Sequence, residues 1–245
     1  MPCRELPKTD TTREDALRAI YSKAVAPPAE GLPFTDANSA HIKTFYPLFQ
    51  KEISERGTAL SVQSEATKLT IAAEATCRMY VSHFYQVFNL GIDRDKYKAS
   101  DRAFYQLDIS QESVPDLTTQ DNLCRNAEHI ITGDAVRTAA GGAAMVNPSK
   151  DEVEVVYNDY LSKLSSQSTK KEAYAKEQKD VDDIRAEADE LILDVWDEVE
   201  FNFRKLGQTS MRRKAREYGV VYVSRPGEPP EDAAPVQEQT QAPAK

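Results

Sequence analysis

The sequence predicts an all-α protein: an elongated, mostly antiparallel four-helix bundle with a small strand-containing cap and disordered termini. The longest stretch without Gly or Pro, residues 149–206, carries apolar residues at helical spacing. Charged residues make up 29% of the chain and hydrophobic residues 40%, a balance typical of long solvated helices. Only short segments have the character of strands, so a large sheet is not expected.

The first predicted element is a short helix. Thr11 and Glu14 have the spacing of a capping box, in which each side chain satisfies a backbone N–H of the other. Pro27 ends this helix, because proline lacks an N–H and disfavours helical geometry in the preceding residue. Residues 1–11 are expected to be flexible. We interpret residues 1–35 as an N-terminal helix and linker.

Two successive helices are predicted next. The first begins near Asp36, and Pro47 either kinks it or marks its first turn. Gly57 is expected to end it and Thr58 to cap the second helix. That second helix has a long apolar stripe and runs to Leu90.

A strand and a helix follow. Tyr105, Leu107 and Ile109 alternate with polar residues, which predicts a short strand. Thr118 or Thr119 then caps a further helix. The glycine-rich residues 139–149 lack the Lys-Ser/Thr ending of a P-loop and follow a helix, so we interpret them as an interhelical turn.

The long stretch 149–206 allows two interpretations. Ser and Thr residues at 165–169 interrupt the apolar stripe without a Gly or Pro to turn the chain, so one continuous helix and a helical hairpin both fit. After Gly207, the segment MRRKARE predicts a short basic helix, and residues 220–223 predict a strand. This strand is expected to pair with residues 105–109 or with an exposed sheet edge of a partner.

The remaining boundaries follow from composition. Residues 36–224 are interpreted as one bundle domain that includes the basic helix and the short strand. Residues 225–245 are rich in Pro, Glu, Gln and Ala and offer little to bury, which predicts a disordered tail.

Composition also narrows location and partners. Cys3, Cys77 and Cys124 are far apart and contain no CxxC pair, so neither a disulfide framework nor a zinc site is expected. The sequence shows neither a signal peptide nor a membrane span, and the cytoplasm is the expected location. The net charge of -9 argues against nucleic-acid binding by the whole molecule.

The sequence carries no catalytic signature, and we predict no catalytic, cofactor-binding or metal-binding residues. His41, His83 and His129 are expected on three different helices, but none has the Glu-x-x-His spacing of di-iron bundles. A bundle metalloenzyme using these histidines is therefore the least favoured hypothesis. A nucleophilic pairing of Cys77 or Cys124 with a histidine stays open, although buried helix cysteines are usually inert.

The candidate partner-binding residues lie near the C-terminal end. Six basic residues occur between positions 203 and 216 with no acidic residue among them, and a tyrosine follows in the predicted strand. These candidates are Arg204, Lys205, Arg212, Arg213, Lys214, Arg216 and Tyr222. The basic residues can pair with the acidic helix before them, or they can contact an acidic partner or nucleic acid.

These patterns favour a non-catalytic structural or protein-interaction protein of the assembly or scaffold type. A protein partner or self-association through uncovered apolar helix surface is expected, and a membrane is not. The alternative is a nucleic-acid accessory protein that binds through the basic segment 204–216.

Overall fold

The computed structural model describes residues 3–224, and this part of the chain is all-α with one small ribbon, as predicted. The predicted disordered tail, residues 225–245, lies outside the described residues. Among residues 3–224, no helix is both long and apolar enough to cross a membrane. The elements in chain order are strand β1 (Cys3–Glu5), helices α1 (Asp10–Val25) and α2 (Asp36–Asp93), a 3-10 helix (Ala99–Tyr105), helices α3 (Gln120–Ala139), α4 (Lys150–Phe203) and α5 (Gln208–Arg216), and strand β2 (Val221–Val223).

Helix α2 corrects the predicted break at Gly57, because it runs without interruption from Asp36 to Asp93. Glycine inside a helix costs only about 1 kcal/mol relative to alanine. The packing of the apolar stripes on either side outweighs that cost. Pro47 also lies inside the helix and not in its first turn.

Helix α4 is continuous through residues 165–169, which decides between the two interpretations of this stretch. The hydroxyl of Thr169 donates to the Ser165 carbonyl at 3.2 Å, a local bond that helical geometry permits. The Gln167 amide donates to the Thr67 hydroxyl at 3.1 Å, which ties this polar segment to α2. Polar residues thus interrupt the stripe without ending the helix.

The strand prediction for residues 105–109 is wrong. Tyr105 ends the 3-10 helix, and Gln106 has the left-handed φ of 58° that turns the chain. Tyr105 and Leu107 are both buried, so their alternation reflects two core contacts in a turn and not a strand.

The partner of β2 is β1, in an antiparallel ribbon that pairs Arg4 with Tyr222. The expectation that residues 1–11 are flexible is therefore wrong for residues 3–5. The cap of α1 also lies earlier than predicted, because Thr9 forms a capping box with Thr12. Thr119 caps α3, which agrees with one of the two predicted positions.

The described residues form two compact units. Unit 1 comprises the residues up to Gly57 together with those from Glu177 onward, and unit 2 comprises Thr58–Lys176. The core of unit 1 combines apolar faces of α1, α2, α4 and α5 with Tyr218. Trp196 is fully buried there, and its indole N–H donates to the Tyr218 carbonyl at 3.1 Å.

Unit 2 has its own core, formed by α2, the 3-10 helix, α3 and α4. Aromatic rings dominate it, and Tyr105 makes edge contacts with Phe84 and Phe88 at centroid distances of 5.5 and 4.8 Å. Gly133 allows close packing here, because a methyl group at this position would lie 2.3 Å from the Phe104 carbonyl oxygen.

Candidate functional site

Tyr222 is held inside unit 1. Its hydroxyl donates to the Glu200 carboxylate of α4 at 2.5 Å. The Arg4 guanidinium lies 2.7 Å from Asp197 and 3.2 Å from Glu200. Burial raises the pKa of the Tyr222 phenol, and the hydrogen bond to Glu200 raises it further. These contacts attach the ribbon to α4 and leave the Tyr222 hydroxyl engaged.

Three of the predicted basic residues also contact neighbours within unit 1. The guanidinium carbons of Arg212 and Arg216 lie 6.0 and 5.6 Å from the centre of the Tyr222 ring, within cation–π range. Arg212 is buried, unlike the solvated side chain its sequence context suggests. The Lys214 ammonium lies 3.5 Å from the Glu217 carboxylate.

Arg204, Lys205 and Arg213 are exposed. Arg204 lies over the ring of Phe201 at 3.4 Å from the ring centre, and it donates to the Phe201 carbonyl at 2.7 Å. Phe201 itself remains 65% exposed, although phenylalanine is usually buried. Lys205 and Arg213 form no ion pair within residues 3–224.

Phe201 borders an open groove of about 680 Å³ in unit 1. Half of its lining residues come from the loop before α2, and the other half, including Phe201, from the last turns of α4. We name Phe201, Arg204 and Lys205, together with this groove, the Phe201 surface. The residues that line the groove are Leu32, Pro33, Phe34, Thr35, Asp197, Glu198, Phe201 and Asn202.

The carboxylates in the groove already have partners in the chain. Glu198 accepts hydrogen bonds from the Thr35 backbone N–H at 2.7 Å and from its hydroxyl at 3.2 Å. Asp197 is paired with Arg4. The groove therefore combines apolar side chains with two carboxylates, of which Asp197 is paired with a cation and Glu198 is hydrogen-bonded to neutral donors.

The three histidines lie on two helices, α2 and α3. His41 and His83 lie on the same helix, α2, which corrects their predicted placement on three helices, and they belong to different units. His41 pairs with Glu187 at 2.8 Å. Burial lowers the pKa of His129, which also lies near the Arg125 cation.

One group of potential metal ligands occurs within residues 3–224, and it contains no histidine. Carboxylate oxygens of Glu52, Glu177 and Asp180 lie within 4.8 Å of one another in unit 1. The Lys51 ammonium is 3.0 Å from Glu52 and contributes a competing positive charge. Acidic residues on neighbouring helix faces commonly meet in this way without a metal ion.

The two cysteines considered as nucleophiles lie in unit 2. Burial raises the pKa of Cys77 to about 12 and raises that of Cys124 as well. These raised pKa values keep both thiols protonated at neutral pH. Both therefore have low reactivity, because the thiolate is the nucleophilic form.

A buried charged pair in unit 2 has no counterpart among the predicted site residues. Arg137 donates from Nη2 to Asp134 at 2.6 Å, and both side chains are at most 5% exposed. The Tyr105 hydroxyl donates to the same carboxylate at 2.7 Å. The sequence does contain a signal for this pair, because Asp134 continues the helical stripe of Leu123, Ala127 and Ile130.

We compared the chain with other proteins in three ways. No protein-family model matches it, and neither a curated protein nor a solved structure matches it.

Proposed function

We propose that this protein is a non-catalytic interaction protein of the assembly or scaffold type that binds a protein partner in the cytoplasm. The proposed contact residues are the Phe201 surface and the exposed Arg213 of α5, and the partner segment is acidic with an apolar anchor. The observation that carries the proposal is the 65% exposure of the Phe201 ring next to an apolar groove.

The composition of this surface supports a protein partner. Aromatic and arginine side chains are enriched among the residues that contribute most to interface affinity. Arg204 and Lys205, which follow Phe201 in the chain, and the exposed Arg213 add positive charge that favours an acidic segment. Since Asp197 is paired with Arg4, it opposes such a segment less than a free carboxylate would.

Nucleic acid is the less favoured ligand for the same segment. Phosphate contacts require a basic surface, whereas the chain has a net charge of -9 and carboxylates line the neighbouring groove. Arg212, Arg216 and Lys214 also contact other residues of unit 1, which reduces the exposed positive charge.

The test must use point variants. Removing everything after Gly207 would take Ala215, Tyr218 and Val220 out of the unit 1 core. We therefore compare the full chain with Phe201→Ala and with Lys205→Glu/Arg213→Glu. The matched control is Val155→Ala, because Val155 is 68% exposed and also lies on α4.

Affinity capture from the native host's lysate, read by mass spectrometry and nucleic-acid staining, gives the result. We expect the full chain and Val155→Ala to capture the same protein. The amount captured by each of the two test variants should be about tenfold lower or less. Purified partner and isothermal titration calorimetry then confirm direct binding. Equal capture by all variants would reject the proposal, as would a captured nucleic acid released by salt in place of a protein.

A further inference from the structure

A cavity in unit 2 has the features of an anion-binding site. It lies between the residues before the 3-10 helix and the turn after α3, and it has a volume of about 470 Å³. Ligand sites for small molecules typically begin at about 300 Å³. The lining residues are Lys96, Tyr97, Lys98, Ser100, Asp101, Phe104, Arg137, Ala140, Gly141, Gly142 and Ala143.

Two buried donors in this lining have no hydrogen-bond partner. Among the buried side-chain nitrogen and oxygen atoms of residues 3–224, only Nη1 of Arg137 and the hydroxyl of Tyr97 are unpartnered. Buried polar groups are nearly always hydrogen-bonded, and a buried donor without a partner destabilises the folded state. Both atoms belong to residues that line this one cavity.

Hydrogen bonds from the other guanidinium nitrogens hold Arg137 in a fixed position. Nε donates to the Tyr105 hydroxyl at 2.8 Å, and Nη2 donates to Asp134 and to the Ala143 carbonyl at 2.6 and 2.7 Å. Nη1 lies against Gly142, where a methyl group would come within 2.9 Å of it. The remaining donor edge is thus already oriented before a ligand arrives.

The charge of the cavity favours an anion. Two cations lie near the Tyr97 ring, with the Lys96 ammonium 5.1 Å and the Arg137 guanidinium carbon 5.0 Å from its centre. Lys98 adds a third cation, and Asp101 is the one carboxylate in the lining. Cations outnumber carboxylates even when Asp134, which faces Arg137, is included.

We propose that this cavity binds the phosphate group of a small molecule, with Arg137 and Tyr97 as buried donors and Lys96 and Lys98 at the rim. A phosphate monoester carries a charge of about −1.5 to −2 at pH 7 and has three strong acceptor oxygens. It therefore suits several convergent donors better than a single carboxylate does. The volume of the cavity exceeds that of one phosphate, which leaves room for a small organic part beside Phe104.

Isothermal titration calorimetry of the full chain tests the proposal, with inorganic phosphate and glycerol 3-phosphate as probes. Sodium chloride at matched ionic strength serves as the control for screening. The test variants are Tyr97→Phe and Lys96→Ala/Lys98→Ala. The charge-matched control is Lys170→Ala/Lys171→Ala, because both lysines are exposed on α4 of unit 2 and lie outside the cavity.

We expect one phosphate group bound per chain, and an affinity that falls about tenfold or more in each test variant. The Lys170→Ala/Lys171→Ala control should bind as the unmodified chain does. Tyr97→Phe should unfold at the same temperature or higher without phosphate, because the deleted hydroxyl has no partner. Absence of binding, binding that Tyr97→Phe leaves unchanged, or a lowered melting temperature of Tyr97→Phe without phosphate would overturn the proposal.

Discussion

Asp10 connects three helices of unit 1. Its carboxylate accepts two hydrogen bonds of 2.7 Å from Arg185 of α4 and one of 2.5 Å from Arg56 of α2. Hydrogen bonding to Arg185 is the main reason that the pKa of Asp10 falls to about 2. Bidentate contacts of this type are stronger than a single exposed ion pair.

Replacing Asp10 with Asn should therefore destabilise the protein. We expect the free energy of unfolding at pH 7 to fall by about 2 kcal/mol, a value that allows for solvent screening of this partly exposed network. Urea denaturation measures it. Asp15→Asn is the control, because Asp15 is exposed on the same helix and pairs only with its exposed neighbour Arg18, so a change within about 0.5 kcal/mol is expected.

The same carboxylate predicts a pH dependence. The pKa of Asp10 in the folded protein, about 2, lies below its unfolded value, so its contribution is complete above the unfolded pKa of about 4. The contribution is lost as the pH falls from about 4 through about 2. The stability difference between the unmodified chain and Asp10→Asn should shrink over this range, and a constant difference would contradict the assignment.

The sequence did not predict the Asp10 network. Asp10 lies 46 positions from Arg56 and 175 from Arg185, so no local spacing relates them. Asp134 is a different case, because its place on the apolar stripe of α3 predicts a buried carboxylate. Burying such a charge is costly unless a cation pairs with it. Sequence reasoning can find charged residues that interrupt a core pattern, but not those that meet only through the fold.

At the scale of elements, the continuity of α4 through residues 165–169 can be tested directly. Proline at Ser166 should destabilise the protein by about 3 kcal/mol or more, because it removes a helical hydrogen bond and clashes with the preceding turn. Ser166→Ala is the matched control and should be neutral or slightly stabilising, since Ser166 is exposed and alanine favours helices. Circular dichroism during thermal unfolding measures both.

A hairpin in this segment would give the opposite result. Proline is well tolerated in turns between helices, so Ser166→Pro would then change the midpoint of unfolding by little. Equal midpoints for the two variants would thus contradict a continuous α4.

The helices were predicted more successfully than the connections between them. Helical spacing of apolar residues located α1, α3, α4 and both halves of α2, because core packing imposes that period on the sequence. Gly57 was misread, since glycine weakens a helix without ending it. The partner of β2 was missed because Cys3–Glu5 is too short to show a pattern and the pairing joins distant parts of the chain.

At the scale of the whole molecule, each of α2 and α4 contributes to both cores. We expect the units to unfold together. If only one unit unfolded, α2 and α4 would each end in the middle, which would leave backbone groups unpaired and remove packing that stabilises the helices. Leu123→Ala in the unit 2 core should cost about 2–5 kcal/mol. Trp196, the only tryptophan, reports on unit 1. The midpoint of unfolding followed by Trp196 fluorescence should fall by as much as the midpoint followed by circular dichroism.

Leu60→Ala is the control for this experiment. Leu60 is 45% exposed on α2 within unit 2, so both midpoints should change little. A Leu123→Ala variant whose Trp196 transition stays at the unmodified midpoint would show that the units unfold independently.

The discontinuity of unit 1 matters while the chain is being synthesised. Leu17, Ile20 and Phe45 emerge from the ribosome early, but the segments of α4 and α5 that cover them follow only after all of unit 2. At about 5–20 residues per second, this delay is on the order of 10 s. The nascent chain therefore exposes this apolar surface until α4 and α5 have been made, whereas the residues of unit 2 are contiguous in the sequence.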